Sequence, residues 1–427
     1  APAPAPARGG AAGDASDADE AVRLYTDRWV DAALVRRTAM RRGRTVDGPA
    51  IIVEANATTV VLPGWRATQG ADGALELARV APRLARRGVG TEADPVLLEV
   101  FSHLYMNIAE QMGSRLQNTA HSVNIKERLD FSCALFDAGG RLIANAPHMP
   151  VHLGSMSESI RTVIDRNPDM RRGDVYVLND PYHGGTHLPD VTVVTPVHLD
   201  DDEEAPAFYV ASRGHHADIG GTTPGSMPPF STSIDDEGVL LDNFLLVRDG
   251  RLREAELRER LAAGVWPARN PEQTSADLRA QIAANEKGAQ ELLAMVEQFG
   301  RATVGAYMQH VQDHAEEAVR RVVTALKDGA FELELDNGAR ICVRVAVDAA
   351  ARSATIDFTG TSAQTPDNFN APKAVTVAAV LYVFRTLVDD EIPLNAGCLK
   401  PLRIVVPDGS MLNPRPPAAV VAGNVET

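Results

Sequence analysis

The sequence predicts an α+β protein of mixed, multi-domain architecture, with long helices in the middle of the chain. Helical and strand-type patterns mix without regular βαβ alternation, no internal repeat is present, and residues 271–327 are rich in Ala, Glu, Gln and Arg and nearly free of helix breakers. With 427 residues the chain can bury more than one core.

Residues 1–19, Pro/Ala/Gly-rich at their start, read as a low-complexity linker. Ala21 to Met40 carries a helical pattern. Ile51 to Val53 and Thr59 to Leu62 are short, β-branched and bounded by turn residues, and so read as strands. The mixed stretch Val80 to Asp94 places a boundary between a small unit, 20–82, and a large one, 93–427. Pro95 opens a helix to about Asn118, with apolar residues at three-and-four spacing from Leu97 to Met112. Strands at Leu129 to Phe136 and Arg141 to Ala144 flank Asp137-Ala-Gly-Gly140, a hairpin signal. A short helix is expected from Ser155 to Ile164, with serines near its start. Strands follow at Asp174 to Leu178, Val191 to Val197 and Ala207 to Ala211. One or two helices fill Pro271 to Lys327. Strands at Phe331 to Leu335, Ile341 to Val347, Ala354 to Phe358 and Leu402 to Val406, with a helix at Ala371 to Val388, complete the pattern.

The net charge of −15 argues against a nucleic-acid partner, which calls for a basic surface. No apolar run has bilayer length and no secretory pattern opens the chain, so no membrane association is expected and a cytoplasmic location is the default. Three widely spaced cysteines, Cys133, Cys342 and Cys398, form neither a disulfide framework nor a paired-thiolate metal site. The chain reads as a piece of a longer protein.

The chemistry concentrates on two loops. Asn179-Asp-Pro-Tyr-His-Gly-Gly-Thr-His-Leu-Pro-Asp190 is kept out of helical geometry by Pro181, Gly184-Gly185 and Pro189, and it leads into an apolar strand. Ser212-Arg-Gly-His-His-Ala-Asp-Ile-Gly-Gly221 follows another apolar run. Together they read as one divided site. His187 and Asp190, joined by His215 or His216, make a nitrogen-plus-oxygen ligand set that suits Zn, Mn, Fe or Co, with positions left open for water and substrate. A metal-free hydrogen-bonded loop is the competing reading. Asp180, His183 and Asp218 are candidate catalytic groups that orient ligands or move protons. His148 and His152, on a Pro-interrupted segment leading into a helix start, are candidate substrate-binding groups, with a packed loop as the more frequent outcome for such a segment. Of the charges in Asn124 to Asp130, one or two face the cleft or all lie on an exposed edge. Cys398 as a nucleophile is the minority reading.

Six stretches in register carry a family resemblance: Glu127-Arg-Leu-Asp-Phe-Ser-Cys-Ala-Leu-Phe-Asp137, His148-Met-Pro-Val-His-Leu-Gly-Ser155, Asn179 to Asp190, Gly214-His-His-Ala-Asp-Ile-Gly220, Asp277-Leu-Arg-Ala-Gln281 and Asn395-Ala-Gly-Cys398. Over residues 93–427 the chain resembles the hydantoinase B/oxoprolinase family. Residues 20–82, with Gly48-Pro-Ala-Ile-Ile and Val61-Leu-Pro-Gly-Trp65, resemble the C-terminal tail of a hydantoinase A/oxoprolinase domain, the arrangement of single-chain 5-oxoprolinases. The resemblance implies ATP-dependent opening of a cyclic amide such as 5-oxoproline or a hydantoin. ATP would be bound by an A-type ATPase domain or subunit outside this chain, the B-type domain would be C-terminally incomplete, and the assembly is expected to be oligomeric. Ketone carboxylases of the same superfamily carry manganese on a His-x-x-Asp pair and a later histidine, a pattern that maps onto His187, Asp190 and His215 or His216. The alternatives are an ATP-dependent ketone carboxylase subunit and a non-catalytic scaffold for the ATPase half.

Overall fold

The computed structural model describes residues 20–26, 28–81, 90–146, 149–199, 205–389 and 392–426. The chain divides into two compact units, Ala1–Gly88 and Val89–Thr427.

The small unit is all strand. A four-stranded sheet orders β1 (Glu20–Tyr25), β2 (Trp29–Arg36), β4 (Ala50–Val53) and β5 (Thr58–Val61), and a second sheet orders β3 (Thr45–Asp47), β6 (Trp65–Gln69) and β7 (Leu75–Arg79). Val35, Met40, Val46, Ala50, Ile52, Val61 and Ala67 form its core. The helix expected over Ala21 to Met40 is instead the β1–β2 hairpin and a 3-10 turn. The pattern misleads because β2 is an inner strand whose two buried residues, Ala32 and Val35, stand three apart, a spacing that imitates a helix face.

The large unit is built on a seven-stranded, wholly antiparallel sheet. Its strands are β8 (Phe131–Asp137), β9 (Leu142–Asn145), β10 (Val175–Leu178), β11 (Asp190–Val197), β12 (Phe208–His215), β13 (Phe244–Arg248) and β14 (Arg251–Leu252), in the spatial order β14-β13-β10-β11-β12-β8-β9. Helices cover both faces, so β8 and β10 are buried along their whole length rather than alternating with solvent. On one face pack α1 (Pro95–Thr119), the short α2 (Val123–Lys126), α5 (Pro271–Phe299) and α6 (Arg301–Ala325), over Cys133, Leu135, Phe208 and Val210. On the other packs α3 (Pro150–Arg166), whose Met156, Ile160 and Val163 meet Ala134, Phe136, Tyr209 and Ala211. Odd-numbered residues of β12 therefore face α3 and even-numbered ones face α5.

Asp94 caps α1 by accepting from the Leu97 amide, and Asn270 caps α5 by accepting from that of Gln273. Gly300, at φ +85°, breaks 271–327 into two helices. Helix α3 starts at Pro150, earlier than the serines suggest, because proline suits the first helical turn. The short α4 (Glu254–Leu261) packs on α5. A further sheet, β15 (Gly329–Glu334), β16 (Arg340–Asp348), β17 (Ser353–Asp357) and β18 (Leu402–Val405), shares a core with α6 and α7 (Lys373–Thr386). The chain then returns to the central sheet through residues 407–422 and ends the described region in α8 (Gly423–Glu426). No described helix is long and apolar enough to cross a membrane.

Candidate functional site

The two polar loops meet because β11 and β12 are paired neighbours. Asp190 opens β11 and lies directly across from His215, the last residue of β12, while Thr192 lies across from Arg213. Across an antiparallel ladder such partners share a face, here the α3 face. The segment before β11 is shaped by Asn179, fully buried, whose Nδ2 donates to the Leu188 and Val239 carbonyls while its Oδ1 accepts from the Leu241 amide. The Asp180 carbonyl accepts from the amides of His183 and Gly185, and the His187 carbonyl from that of Asp190. His187 is thereby folded back over Asp190.

The result is a buried cluster of His187, Asp190 and His215, whose ligand atoms all lie within 4.8 Å of one another. His187 Nδ1 is 3.2 Å from Asp190 Oδ2, and His215 Nδ1 is 3.3 Å from Asp190 Oδ1. The two oxygens of Asp190 differ in their surroundings. Oδ2 accepts from the Thr186 hydroxyl at 2.7 Å and faces His152 Nε2 at 3.3 Å as well as His187. Oδ1 is buried without a hydrogen-bond partner, and so is His187 Nε2. Burial by itself would raise the Asp190 carboxyl, but the adjoining His187 and His152 outweigh it and hold it well below the usual carboxylate range. For His215, burial pulls the imidazole down while Asp190 and Asp130 pull it up and prevail. Asp130, from the Asn124 to Asp130 run, approaches the cluster with Oδ2 3.8 Å from His215 Nδ1, and Arg128 of the same run acts on that imidazole in the opposite sense.

His216 goes elsewhere. Next along the chain from His215, it turns to the α5 side, where Nε2 meets Gln281 Oε1 at 2.9 Å, and burial lowers its pKa. Of the two candidates, His215 is the one that joins the His187 and Asp190 cluster. His152, expected to bind substrate, sits on α3 with Nδ1 3.1 Å from Ser132 Oγ and Nε2 on Asp190. With both ring nitrogens engaged inside the fold, it has none to offer a substrate. His148 lies outside the described residues.

The buried Asp180 pairs through Oδ2 with Nδ1 of the half-exposed His183 at 2.6 Å, and Asp242 Oδ1 lies 3.9 Å from the same His183 nitrogen. These three could group around a cation, but Arg166 already pairs with Asp242 at 2.5 Å and fills that role. Asp218 is consumed in shaping its own loop, accepting from the Gly220, Gly225 and Arg269 amides and from the Arg269 guanidinium at 2.8 Å. Cys398 is fully buried and burial raises its thiol, which fits packing rather than attack.

Three participants were not anticipated. Asn424, from the far end of the chain, brings its amide Nδ2 within 2.5 Å of His187 Nδ1. Ser132 holds His152 from β8. Arg213, the largest fully buried side chain, donates through Nε to Thr192 Oγ1, through Nη1 to Ser155 Oγ, and through Nη2 to Ser159 Oγ and the Gly184 carbonyl. A charged residue in the middle of an apolar strand, as in Val210-Ala-Ser-Arg213, was the available signal for it.

An antiparallel sheet between two helical layers, with one carboxylate and two imidazoles gathered where an inner strand pair ends, defines an α+β protein with an interior nitrogen-and-oxygen donor site. A family model for hydantoinase B/oxoprolinase matches residues 94–427, and the chain belongs to that family. 5-oxoprolinase 1 of Arabidopsis thaliana is 43% identical over 93% of this chain and 33% of its own length, and the 5-oxoprolinase of Saccharomyces cerevisiae is 42% identical over 96% and 33%. The chain thus spans about a third of the length of these relatives. Among solved structures, an ATP-dependent caprolactamase from Pseudomonas jessenii shares the fold with a TM-score of 0.68 at 24% identity, over 78% of this chain and 57% of that one.

Proposed function

We propose that residues 94–427 are the B-type portion of an ATP-dependent cyclic amide hydrolase of the 5-oxoprolinase kind, opening a lactam or imide ring, and that His187, Asp190 and His215 hold a divalent transition metal ion. The observation that carries the activity is the 42–43% identity to 5-oxoprolinases over nearly the whole chain. In this reading residues 20–82 are the tail of an A-type domain, and ATP is bound and spent by the rest of that domain, the principal partner of the part described.

The metal reading is supported by two buried atoms that lack a hydrogen bond, His187 Nε2 and Asp190 Oδ1, the latter with only the ion-pair contact to His215 Nδ1 at 3.3 Å, in a cluster with His215. Leaving a buried atom such as His187 Nε2 unpaired costs about 1–3 kcal/mol, a cost that a cation removes. Nitrogen and carboxylate donors suit Mn, Zn or Fe. When bound, the ion supplies Lewis-acid stabilisation to charge developing on a ring oxygen. The chain's own residues do the rest. Thr186 and His152 occupy Asp190 Oδ2 and leave Oδ1 for the ion, Ser132 holds His152 in place, and α3 and the 179–190 loop keep bulk water away. His183, half exposed and paired with the buried Asp180, forms with it the group suited to proton transfer at the edge of the site.

The test uses the full-length protein. Bound transition metal by elemental analysis and ATP hydrolysis stimulated by 5-oxoproline or a hydantoin are expected. Stimulation by ketone plus bicarbonate instead would overturn the reaction class. Full turnover in His187→Ala and Asp190→Ala variants would reduce this portion to a scaffold.

A further inference from the structure

We infer that Asn424 is a positioning residue that presents its carboxamide oxygen to His187, fixing the imidazole with its proton on Nδ1 and turning Nε2 to the ion. The inference rests on the metal reading and deepens it.

His187 Nδ1 stands between two groups, the Asn424 amide at 2.5 Å and Asp190 Oδ2 at 3.2 Å. If the amide nitrogen faced the ring, Nδ1 would have to accept, its lone pair would point towards an ionised carboxylate oxygen, and the ring proton would sit on Nε2, which has no acceptor. Turning the amide by half a rotation exchanges two ends of nearly the same shape. Nδ1–H then donates to Asn424 Oδ1 and towards Asp190 Oδ2, while Nε2 keeps a free lone pair. That is the tautomer a metal-binding histidine uses, with its other nitrogen fixed by an outer partner.

Asn424 is brought there by a built cradle. The Tyr182 hydroxyl donates to the Ala418 carbonyl at 2.5 Å, and Asn370 Nδ2 to that of Ala419 at 2.9 Å. Glu237 Oε1 accepts from the Val420 and Val421 amides, and the Gly423 amide donates to the Asn368 carbonyl. Gly423 is pressed so closely on Asn370 that a Cβ would lie 2.4 Å from its carbonyl carbon. Asn368, Asn370 and Glu237 are all buried. A segment held by that many interior polar groups delivers its side chain to one place.

Co²⁺ is the probe, titrated into the full-length protein and followed by its visible absorption and by calorimetry, with no substrate present. Asn424→Leu is expected to weaken Co²⁺ binding about 10–100-fold. Asn424→Asp, which still accepts from Nδ1–H, is expected to keep wild-type affinity or exceed it. Equal binding by wild type and the leucine variant would overturn the role of Asn424 while leaving the metal reading intact. Absence of Co²⁺ binding by the wild type would instead sink the metal reading and this inference with it. If the leucine variant does not fold, the aspartate variant decides: retained affinity supports the assignment and lost affinity overturns it.

Discussion

His152 Nε2 lies 3.3 Å from Asp190 Oδ2, with both side chains buried and with Ser132 Oγ 3.1 Å from the opposite ring nitrogen. This relay runs from β8 through α3 to the start of β11 and engages Asp190 Oδ2, the oxygen turned away from His215. His152→Phe preserves the ring's bulk but removes both polar contacts, leaving Ser132 Oγ without this partner. A loss of about 1–3 kcal/mol in stability is expected by urea denaturation. On the metal reading, Co²⁺ affinity should fall about 10-fold or more, because an outer partner of a ligand is lost. A variant with unchanged affinity would show that the Asp190 carboxylate needs no such support.

Arg213 ties three elements together with neutral partners, and no carboxylate pairs directly with it among the described residues. Burial pushes the guanidinium down to about 10, against the pull of Asp190, so it remains charged at neutral pH. Arg213→Met removes the donors that hold Ser155, Ser159, Thr192 and Gly184 together and takes a buried cation away from the buried anion Asp190. The expected destabilisation is on the order of 3–5 kcal/mol, as when one member of a buried charged set is removed. Arg213→Lys should recover little, since a single ammonium cannot serve the fork of positions that Nε, Nη1 and Nη2 occupy. Chemical denaturation of the two variants checks both statements.

Gly184 has φ +92°, and a Cβ there would lie 2.5 Å from backbone atoms of Glu158 and Ser159 on α3. Gly184→Ala therefore meets both an unfavourable backbone conformation, about 1–3 kcal/mol by itself, and a rigid obstacle. The loop must move off α3, carrying Thr186 and His187 with it. Gly225 is the control: its φ is +84°, yet a Cβ would meet nothing within 4 Å. Gly225→Ala should cost only about 1–2 kcal/mol and leave metal affinity unchanged. Thermal unfolding and Co²⁺ titration separate the two.

The legible part of the site was the part carried by short range. His187 and Asp190 share one Pro- and Gly-shaped loop, and the apolar runs on either side announced β11 and β12. Choosing between His215 and His216 needed the register of β12 on β11, because neighbours at a strand end point to opposite faces and only the pairing with Asp190 shows which face matters. His152 looked like a loop residue because prolines flank it, but Pro150 begins a helix and aims the imidazole at the sheet. Asn424 was out of reach, since its neighbour His187 lies on a distant segment and nothing local marks the amide as a partner. The misread hairpin at 21–40 has the opposite cause: local spacing was informative but imitated another period.

Glu237 supplies the last prediction, and its direction follows from its surroundings. Its side chain is buried: Oε1 accepts from Ser231 Oγ and from the Val420 and Val421 amides, whereas Oε2 has no partner. Burial raises the carboxyl from 4.5 to about 7, against the pull of those hydrogen bonds. The folded state therefore holds a proton that the unfolded chain releases near 4.5. The stability that this proton contributes is full below 4.5, declines between about 4.5 and 7, and is lost above 7. The shift corresponds to roughly 3 kcal/mol. Glu237→Gln keeps an acceptor at Oε1 and carries no charge, so its denaturation free energy should lack this decline and exceed that of the wild type at pH 8. Parallel urea denaturation series at pH 5, 6, 7 and 8 test it. A glutamine variant with the same pH slope as wild type would assign the decline to other groups, and a variant less stable at pH 8 would show that the ionised carboxylate is the form the cradle is built to hold.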